Sequence, residues 1–393
     1  MSKLVFVNSD PVTSARSVHI ALALEPNSLL FDSITASAVI HLSLIGLVDR
    51  HLVFSKKNRV LRGMRAVLAS RESADELTCF NGLSSPTPSF IRRPLDDMII
   101  CASMSLIGME LSQGSHLSQI LPLIKGSTAL IMERYQIPAH QNVLPPIFLH
   151  CQRLVAYFDI LSCVPYPRAP FLDTDVWFPL ISEGGNRDYD PLMGCFSEVF
   201  TMIGKVATLI SGFYDRRIDE AGFLTQRNFL VSQLQAWEPF RNSQVEFTTE
   251  IPVMLERDDY ISAQAGNTHK FATLIYLLRS YSKEGAANSW TLDDSHYDHL
   301  VSCLRSSVSR VPIDSPFIAT MLWPAFVLGC ESRESHEQDE TTRWFLKVLA
   351  KQRFENIRVA LDTLRGEIWR GGDCGQLNWV KMCWERKIEL ILA

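Results

Sequence analysis

The repeating spacing of apolar residues is the feature that most constrains the fold of this chain. From Ser28 onward, apolar residues recur at steps of three and four, which is the period of an amphipathic helix with one face in a core. The clearest such run holds Phe271, Leu274, Ile275 and Leu278. No stretch alternates apolar and polar residues over enough positions to predict a sheet. The sequence therefore predicts an all-α fold.

Proline-rich segments interrupt this helical pattern. Residues 81–94 are predicted to be a loop, and residues 165–179 an extended segment, because proline is excluded from helix interiors. Residues 1–27 show no periodicity, so we predict a tail there. Since the rest has no Gly/Ser-rich linker, residues 28–393 are predicted to form a single large, irregular multi-helix domain. The predicted helices cover residues 28–48, 58–70, 95–112, 116–135, 147–163, 192–214, 217–236, 268–282, 294–308, 315–330, 336–351, 354–370 and 377–392.

Composition and charge argue against several classes of protein. The formal net charge is −5 and paired basic residues occur only as isolated doublets, so we expect no direct binding to nucleic acid. The nine cysteines form no C-x-x-C motif, so the sequence predicts no zinc site and thiols kept in a reducing compartment. The uncharged runs are shorter than the roughly 18 residues of a membrane span. A cytoplasmic protein without a membrane span is predicted.

A group of polar residues precedes the apolar run. Asp258 and Asp259 supply adjacent carboxylates, Asn267 an amide and Lys270 a cation. If the chain breaks at Gly266, Asn267 caps a new helix and the carboxylates fold back toward it, which makes a site. If the helix is continuous, Asp259 and Lys270 share a face but lie about 16 Å apart at 1.5 Å per residue. Only the broken alternative brings these residues together.

Each of these residues also has an ordinary structural role. Adjacent acids serve a helix entrance, an asparagine caps a helix, and a lysine one turn into a helix faces solvent. Asp293-Asp294 is a rival acidic pair, and His296 and His299 have a spacing compatible with metal binding but lack an obvious third ligand. Asp96-Asp97 is expected to open the helix over residues 95–112 and to interact with its dipole.

Five segments, taken in order, resemble the fungal-specific transcription factor domain. The resemblance covers roughly residues 28–392, and it implies the all-helical regulatory region that usually follows a zinc-cluster DNA-binding module. Such modules bind two zinc ions through six cysteines, whereas the first cysteine here is Cys79 and no ligand spacing occurs. We therefore expect this chain by itself not to read DNA. The segments are FDILSCVPYPRAPFLDTDVW, DPLMGCFSEVFTMIGKVATLI, FATLIYLLRS, WPAFVLGCESR and LRGEIWRGG with NWVKMCW.

The chain also resembles the unconventional humulene-type sesquiterpene cyclases of fungal tropolone pathways. This resemblance implies farnesyl diphosphate as substrate, a magnesium cluster and an essential lysine. Asp258, Asp259 and Asn267 are then the predicted metal ligands and Lys270 the predicted catalytic residue. Magnesium and lysine neutralise a departing diphosphate, and a dry apolar pocket protects the carbocation from water.

These observations favour a magnesium-dependent terpene cyclase of fungal secondary metabolism, a lyase acting on farnesyl diphosphate in an apolar helical pocket. The alternative is a transcriptional regulator or partner-binding protein that lacks its own DNA-binding domain. The first hypothesis predicts an isoprenoid diphosphate as ligand and a cytoplasmic location, and the second predicts the nucleus. A homodimer is compatible with both.

Overall fold

A computed structural model describes residues 28–80, 89–136, 146–174, 190, 192–239, 257–281, 294–371 and 378–393. The regular elements in these ranges are helices, and the only β-type pairing there is an isolated bridge between Asp190 and Gly194. The prediction of an all-α, multi-helix fold is confirmed. The predicted tail, residues 1–27, lies outside the described residues, and its boundary stays a prediction.

Thirteen α-helices are described, and we number them in chain order. They are α1 (Leu29–Leu44), α2 (Arg50–Phe80), α3 (Ser89–Ser112), α4 (Leu117–Tyr135), α5 (Pro146–Leu161), α6 (Ser197–Tyr214), α7 (Glu220–Ala236), α8 (Arg257–Arg279), α9 (Asp294–Arg310), α10 (Leu322–Cys330), α11 (Ser335–Gln352), α12 (Glu355–Thr363) and α13 (Trp379–Glu385). A short 3-10 helix, Pro316–Thr320, precedes α10, and a π-turn, Leu364–Ile368, extends α12. None of the described helices is long and apolar enough to cross a membrane.

Local chemistry fixes several helix starts. The side chain of Ser28 accepts a hydrogen bond from the backbone of Phe31 at the start of α1, and Asp219 accepts one from Gly222 at the start of α7. A capping box between Glu334 and Glu337 begins α11. These side chains satisfy backbone N–H groups that have no partner within the helix.

The packing divides the chain into two compact units, with the boundary inside α5 between Val155 and Ala156. In the first unit, α1 packs on α2 and α3, and α3 packs on α4. Its core is apolar, and buried charges there are paired. The fully or almost fully buried apolar residues include Val60, Ile100, Leu106, Ile107, Ile120, Ile124 and Ile131.

The predicted role of Asp96-Asp97 as the start of a helix is wrong. The helix begins at Ser89, so these acids lie two turns inside α3. Asp96 accepts a hydrogen bond from Arg71 at 2.9 Å, and Asp97 pairs with Arg134 at 2.8 Å. Long-range ion pairs, rather than the dipole of their own helix, hold these two carboxylates.

In the second unit, α8 is the central helix. It contacts α6, α7, α9, α10 and α13, and every residue from 272 to 280 is buried. The sequence of this stretch is apolar on all faces except for Arg279 and the hydroxyls of Thr273, Tyr276 and Ser280, which suits a helix surrounded by others. The nine residues of α10 are buried as well.

The segment after α5 was predicted to be extended, but residues 165–167 lie in turns, residues 171 and 172 in a bend, and Thr174 is helical. No helix forms over residues 165–173, and the buried carboxylate of Asp159 organises the chain there. It accepts a hydrogen bond from the backbone N–H of Leu172 at 2.8 Å and one from the guanidinium of Arg168 at 2.9 Å. Burial raises the pKa of Asp159, and the charge of Arg168 acts in the opposite direction.

The helix break considered at Gly266 does not occur. α8 runs without interruption from Arg257 to Arg279, so the predicted helix start at residue 268 is wrong. A Cβ atom built on Gly266 would lie 2.7 Å from the ring of Trp237 and 2.9 Å from the Cβ of Phe196. The glycine therefore permits close packing of α8 against these side chains instead of ending the helix.

Replacing Gly266 with alanine tests this role. We expect Gly266→Ala to lower the free energy of unfolding by about 2 kcal/mol, because the added methyl group overlaps two buried aromatic residues. Gly108→Ala is the matched control, since Gly108 also lies inside a helix but has no atom within 4 Å of its Cβ position. It should stabilise by about 0.5–1 kcal/mol. Urea unfolding curves measure both, and equal effects would contradict the packing role.

Candidate functional site

The residues predicted as a site lie along one continuous helix. Asp259 and Asn267 are half-buried, and Lys270 lies one turn beyond Asn267. The side chain of Asp258 lies outside the described residues. Asn267 is inside α8 and does not cap a helix. The structure therefore has the continuous form, in which Asp259 and Lys270 are spread along the helix rather than gathered; their assignment as metal ligand and catalytic residue stays a prediction.

Lys270 is held by the end of a neighbouring helix. Its ammonium group donates hydrogen bonds to the carbonyl oxygens of Gln235, at 3.1 Å, and Trp237, at 2.9 Å. These carbonyls close the carboxyl end of α7, where a positive charge also interacts favourably with the helix dipole. Burial lowers the pKa of Lys270, and the charge of Glu238 opposes this effect. The contacts give this lysine a structural role.

Asp259 lies close to the half-buried thiol of Cys195. Burial raises the pKa of Cys195 to about 12, and the negative charge of Asp259 adds to this shift. The thiol is therefore protonated at neutral pH and is a weak nucleophile. No group of three or more His, Cys, Asp or Glu side chains arranged to hold a metal is found within the described ranges.

A buried ion pair joins the carboxyl end of α8 to α10. The guanidinium of Arg279 donates two hydrogen bonds to the carboxylate of Glu331, at 2.8 and 2.6 Å, and both side chains are almost fully buried. The indole N–H of Trp379 donates to the same carboxylate at 2.9 Å. Burial lowers the pKa of Arg279, but the charge and hydrogen bonds of Glu331, together with the contact with Tyr297, outweigh it, so the pKa lies above its ordinary value.

An open cleft lies above this ion pair. Its volume is about 230 Å³, and Glu331 forms part of its lining. Arg305 pairs with Glu337 across the cleft, and Glu337 also accepts a hydrogen bond from the backbone of Arg333 at 2.8 Å. The full lining is Asp298, Val301, Ser302, Arg305, Glu331, Arg333, Glu334 and Glu337. Charged side chains dominate it, so the cleft is a polar surface rather than a dry pocket for a hydrocarbon.

His269 is a buried residue that the sequence did not single out. Its side chain is 0% exposed and stacks on Phe196, with ring centroids 4.9 Å apart. Nδ1 lies 2.8 Å from the carbonyl oxygen of Ala265, and Nε2 lies 3.0 Å from that of Thr320. Burial lowers the pKa of His269 to about 4, although both carbonyls act in the opposite direction. A neutral imidazole has one N–H, so it donates to only one of these carbonyls.

The buried polar residues are hard to recognise from the sequence. Arg279 and Glu331 each follow a largely apolar run, residues 271–278 and 322–330, and a charge at such a position is a hint of a buried pair. His269 lies among polar residues and carries no such hint. Which acid pairs with which base depends on the packing of α8 against α10, across 52 residues of sequence. Residue spacing does not encode that contact.

The described residues form an all-helical fold in which charged side chains are buried. The family model of the fungal specific transcription factor domain matches residues 1–393. The chain therefore belongs to this family, as the order of its segments predicted. No curated protein and no solved structure matches it. The comparisons give no support to the second resemblance, to sesquiterpene cyclases.

Because His269 is buried, we predict that the free energy of unfolding depends on pH. In the unfolded chain the imidazole of His269 has the ordinary pKa of about 6.5, whereas in the folded protein its pKa is about 4. Between these values the unfolded state holds more protons, so stability falls as the pH falls through this window. We expect His269 to account for about 3 kcal/mol of that loss.

The measurement is the free energy of unfolding from pH 7 to pH 4, in the wild type and in His269→Gln. The difference between the two proteins isolates the histidine from Asp97, whose pKa burial raises to about 6 and which acts in the opposite direction. His41→Gln, at an exposed position, is the control and should keep the wild-type slope. A difference that does not change with pH would contradict the prediction.

Proposed function

We propose that this chain is a regulatory domain of a fungal transcription factor, and that it acts through contacts with other proteins rather than with DNA. Its family membership over residues 1–393 is the observation that carries this proposal. The net charge of −5 also supports it, since a DNA-reading surface needs clustered positive charge. The proposal implies that the domain works in the nucleus.

We place the partner contact at the charged cleft. Its volume, about 230 Å³, is below the 300–1,000 Å³ or so typical of small-molecule sites, so it suits one long side chain of a partner better than a whole ligand. On its rim, Asp298 and Glu334 are the most exposed carboxylates, with 66% and 74% of their side chains accessible. A lysine or arginine of the partner would complement them.

The floor of the cleft connects this surface to the core. Glu331 lines the cleft and is also held by Arg279 and Trp379. A partner side chain that enters the cleft therefore lies next to a carboxylate fixed by two other helices. The rigid floor gives the contact a defined geometry, which lowers the entropy cost of binding.

A transcription assay tests the regulatory proposal. The whole chain is fused behind an unrelated DNA-binding domain in yeast, and transcription from a reporter with the matching binding site is measured. We expect the fusion to change reporter output relative to the DNA-binding domain alone. The double variant Asp298→Asn, Glu334→Gln should lose most of that change, because it removes two rim charges while glutamine still caps α11.

Asp362→Asn is the matched control, since Asp362 is also an exposed carboxylate but does not line the cleft. It should behave as the wild type, with equal protein levels by immunoblot. Reporter output identical to that of the DNA-binding domain alone would reject the regulatory proposal. If the double variant changes reporter output as much as the wild-type fusion does, only the placement of the contact at the cleft is rejected.

The cyclase hypothesis stays a prediction, as do its magnesium ion, its isoprenoid diphosphate and the homodimer. Purified protein incubated with farnesyl diphosphate and magnesium tests it, with hydrocarbon products measured by gas chromatography. The regulatory proposal expects no product. A hydrocarbon that is lost in Lys270→Met, while Lys205→Met retains it, would restore the enzyme hypothesis.

A further inference from the structure

Two cysteine side chains meet in the core of the first unit. Cys101 lies on α3 and Cys151 on the first half of α5, and their Sγ atoms are 3.1 Å apart. Both residues are buried, with 3% and 1% of their surfaces accessible. They are separated by 50 positions in sequence, so only the packing of α3 against α5 brings the thiols together.

The distance between these thiols is short enough for a covalent bond. A disulfide has an S–S distance of about 2.05 Å, so the two sulfurs need to approach by about 1 Å. The two thiols are thus already arranged as partners.

Burial makes the two thiols slow to react with an external reagent, but their proximity favours the step that joins them. The hydrogen bond with Cys101, and then burial, raise the pKa of Cys151, and the charge of Asp97 adds to this effect. Few thiolates form at neutral pH, so attack on an external reagent requires local opening of the unit. Once one sulfur has reacted, the other is adjacent, and the second step is intramolecular.

We propose that Cys101 and Cys151 are a redox modification site that forms an intramolecular disulfide with oxidised glutathione. The thiolate of one cysteine attacks a sulfur of glutathione disulfide, which gives a mixed disulfide and releases one glutathione thiolate. The second cysteine loses its proton and attacks the protein sulfur of the mixed disulfide, which releases the second glutathione. The protein is oxidised by two electrons, and one glutathione disulfide is reduced to two glutathione molecules.

The crosslink joins α3 to α5 in the first unit. It closes a loop of about 50 residues, and a crosslink of that length restricts the unfolded chain strongly. We expect the melting temperature of the oxidised protein to rise by about 5 °C. The first unit would then be locked in its packed form under oxidising conditions.

The test is an equilibrium measurement on the full chain. Fully reduced protein, and protein refolded in oxidised glutathione, are each held at pH 8 in excess oxidised glutathione until their composition stops changing. Remaining thiols are alkylated, and peptides are mapped by mass spectrometry. We expect both samples to converge on a Cys101–Cys151 disulfide and on the higher melting temperature.

The controls separate this pair from the other cysteines. Cys101→Ala and Cys151→Ala should each lose the crosslinked peptide and the rise in melting temperature, and Cys383→Ser should keep both. Convergence of the two wild-type samples on alkylated Cys101 and Cys151, or on pairing of either residue with another cysteine, would overturn the proposal.

Discussion

The ion pair between Arg279 and Glu331 is the interaction on which the second unit depends. Both groups are almost fully removed from water, and removal of one partner from such a pair typically costs 3–5 kcal/mol or so, because an uncompensated charge remains. The guanidinium also lies over the ring of Tyr297, with 4.7 Å to its centroid, and Trp379 donates to the carboxylate. One pair of charges thus connects α8, α9, α10 and α13.

The central helix shows how a polar sequence is accommodated in such a core. Thr268 and Thr273 donate their hydroxyl protons to carbonyls one turn earlier, at 2.6 and 2.7 Å. His269 lies between carbonyls of its own helix and of Thr320. These polar side chains bond to backbone carbonyl oxygens inside the protein, so α8 is a rigid support.

The first unit also contains ion pairs that join one helix to another. The carboxylates of Asp96 and Asp97 in α3 are paired with Arg71 and Arg134, and the thiol of Cys101 lies one turn beyond Asp97. Each buried charge has a partner of opposite sign from another helix, which fixes how the helices are rotated about their axes. Burying a charge without such a partner would be too costly.

The sequence by itself determined the helices and most of their positions. The apolar spacing at residues 271–278 lies within the observed α8, and the prolines of residues 165–170 end α5 as expected, because backbone geometry and local hydrogen bonding decide these features. The family was also contained in the order of the segments. Local patterns are sufficient where the physical cause is local.

Only the tertiary structure decided what the polar residues do. Gly266 looked like a helix end, but Trp237 and Phe196 pack against it and the helix continues, since contact with these side chains outweighs the low helix propensity of glycine. Lys270 looked available for catalysis, yet it donates to the end of α7, more than 30 positions away. Arg279 and Glu331 find each other across 52 positions, and such a contact exists only once the helices have packed, because its energy comes from shared burial.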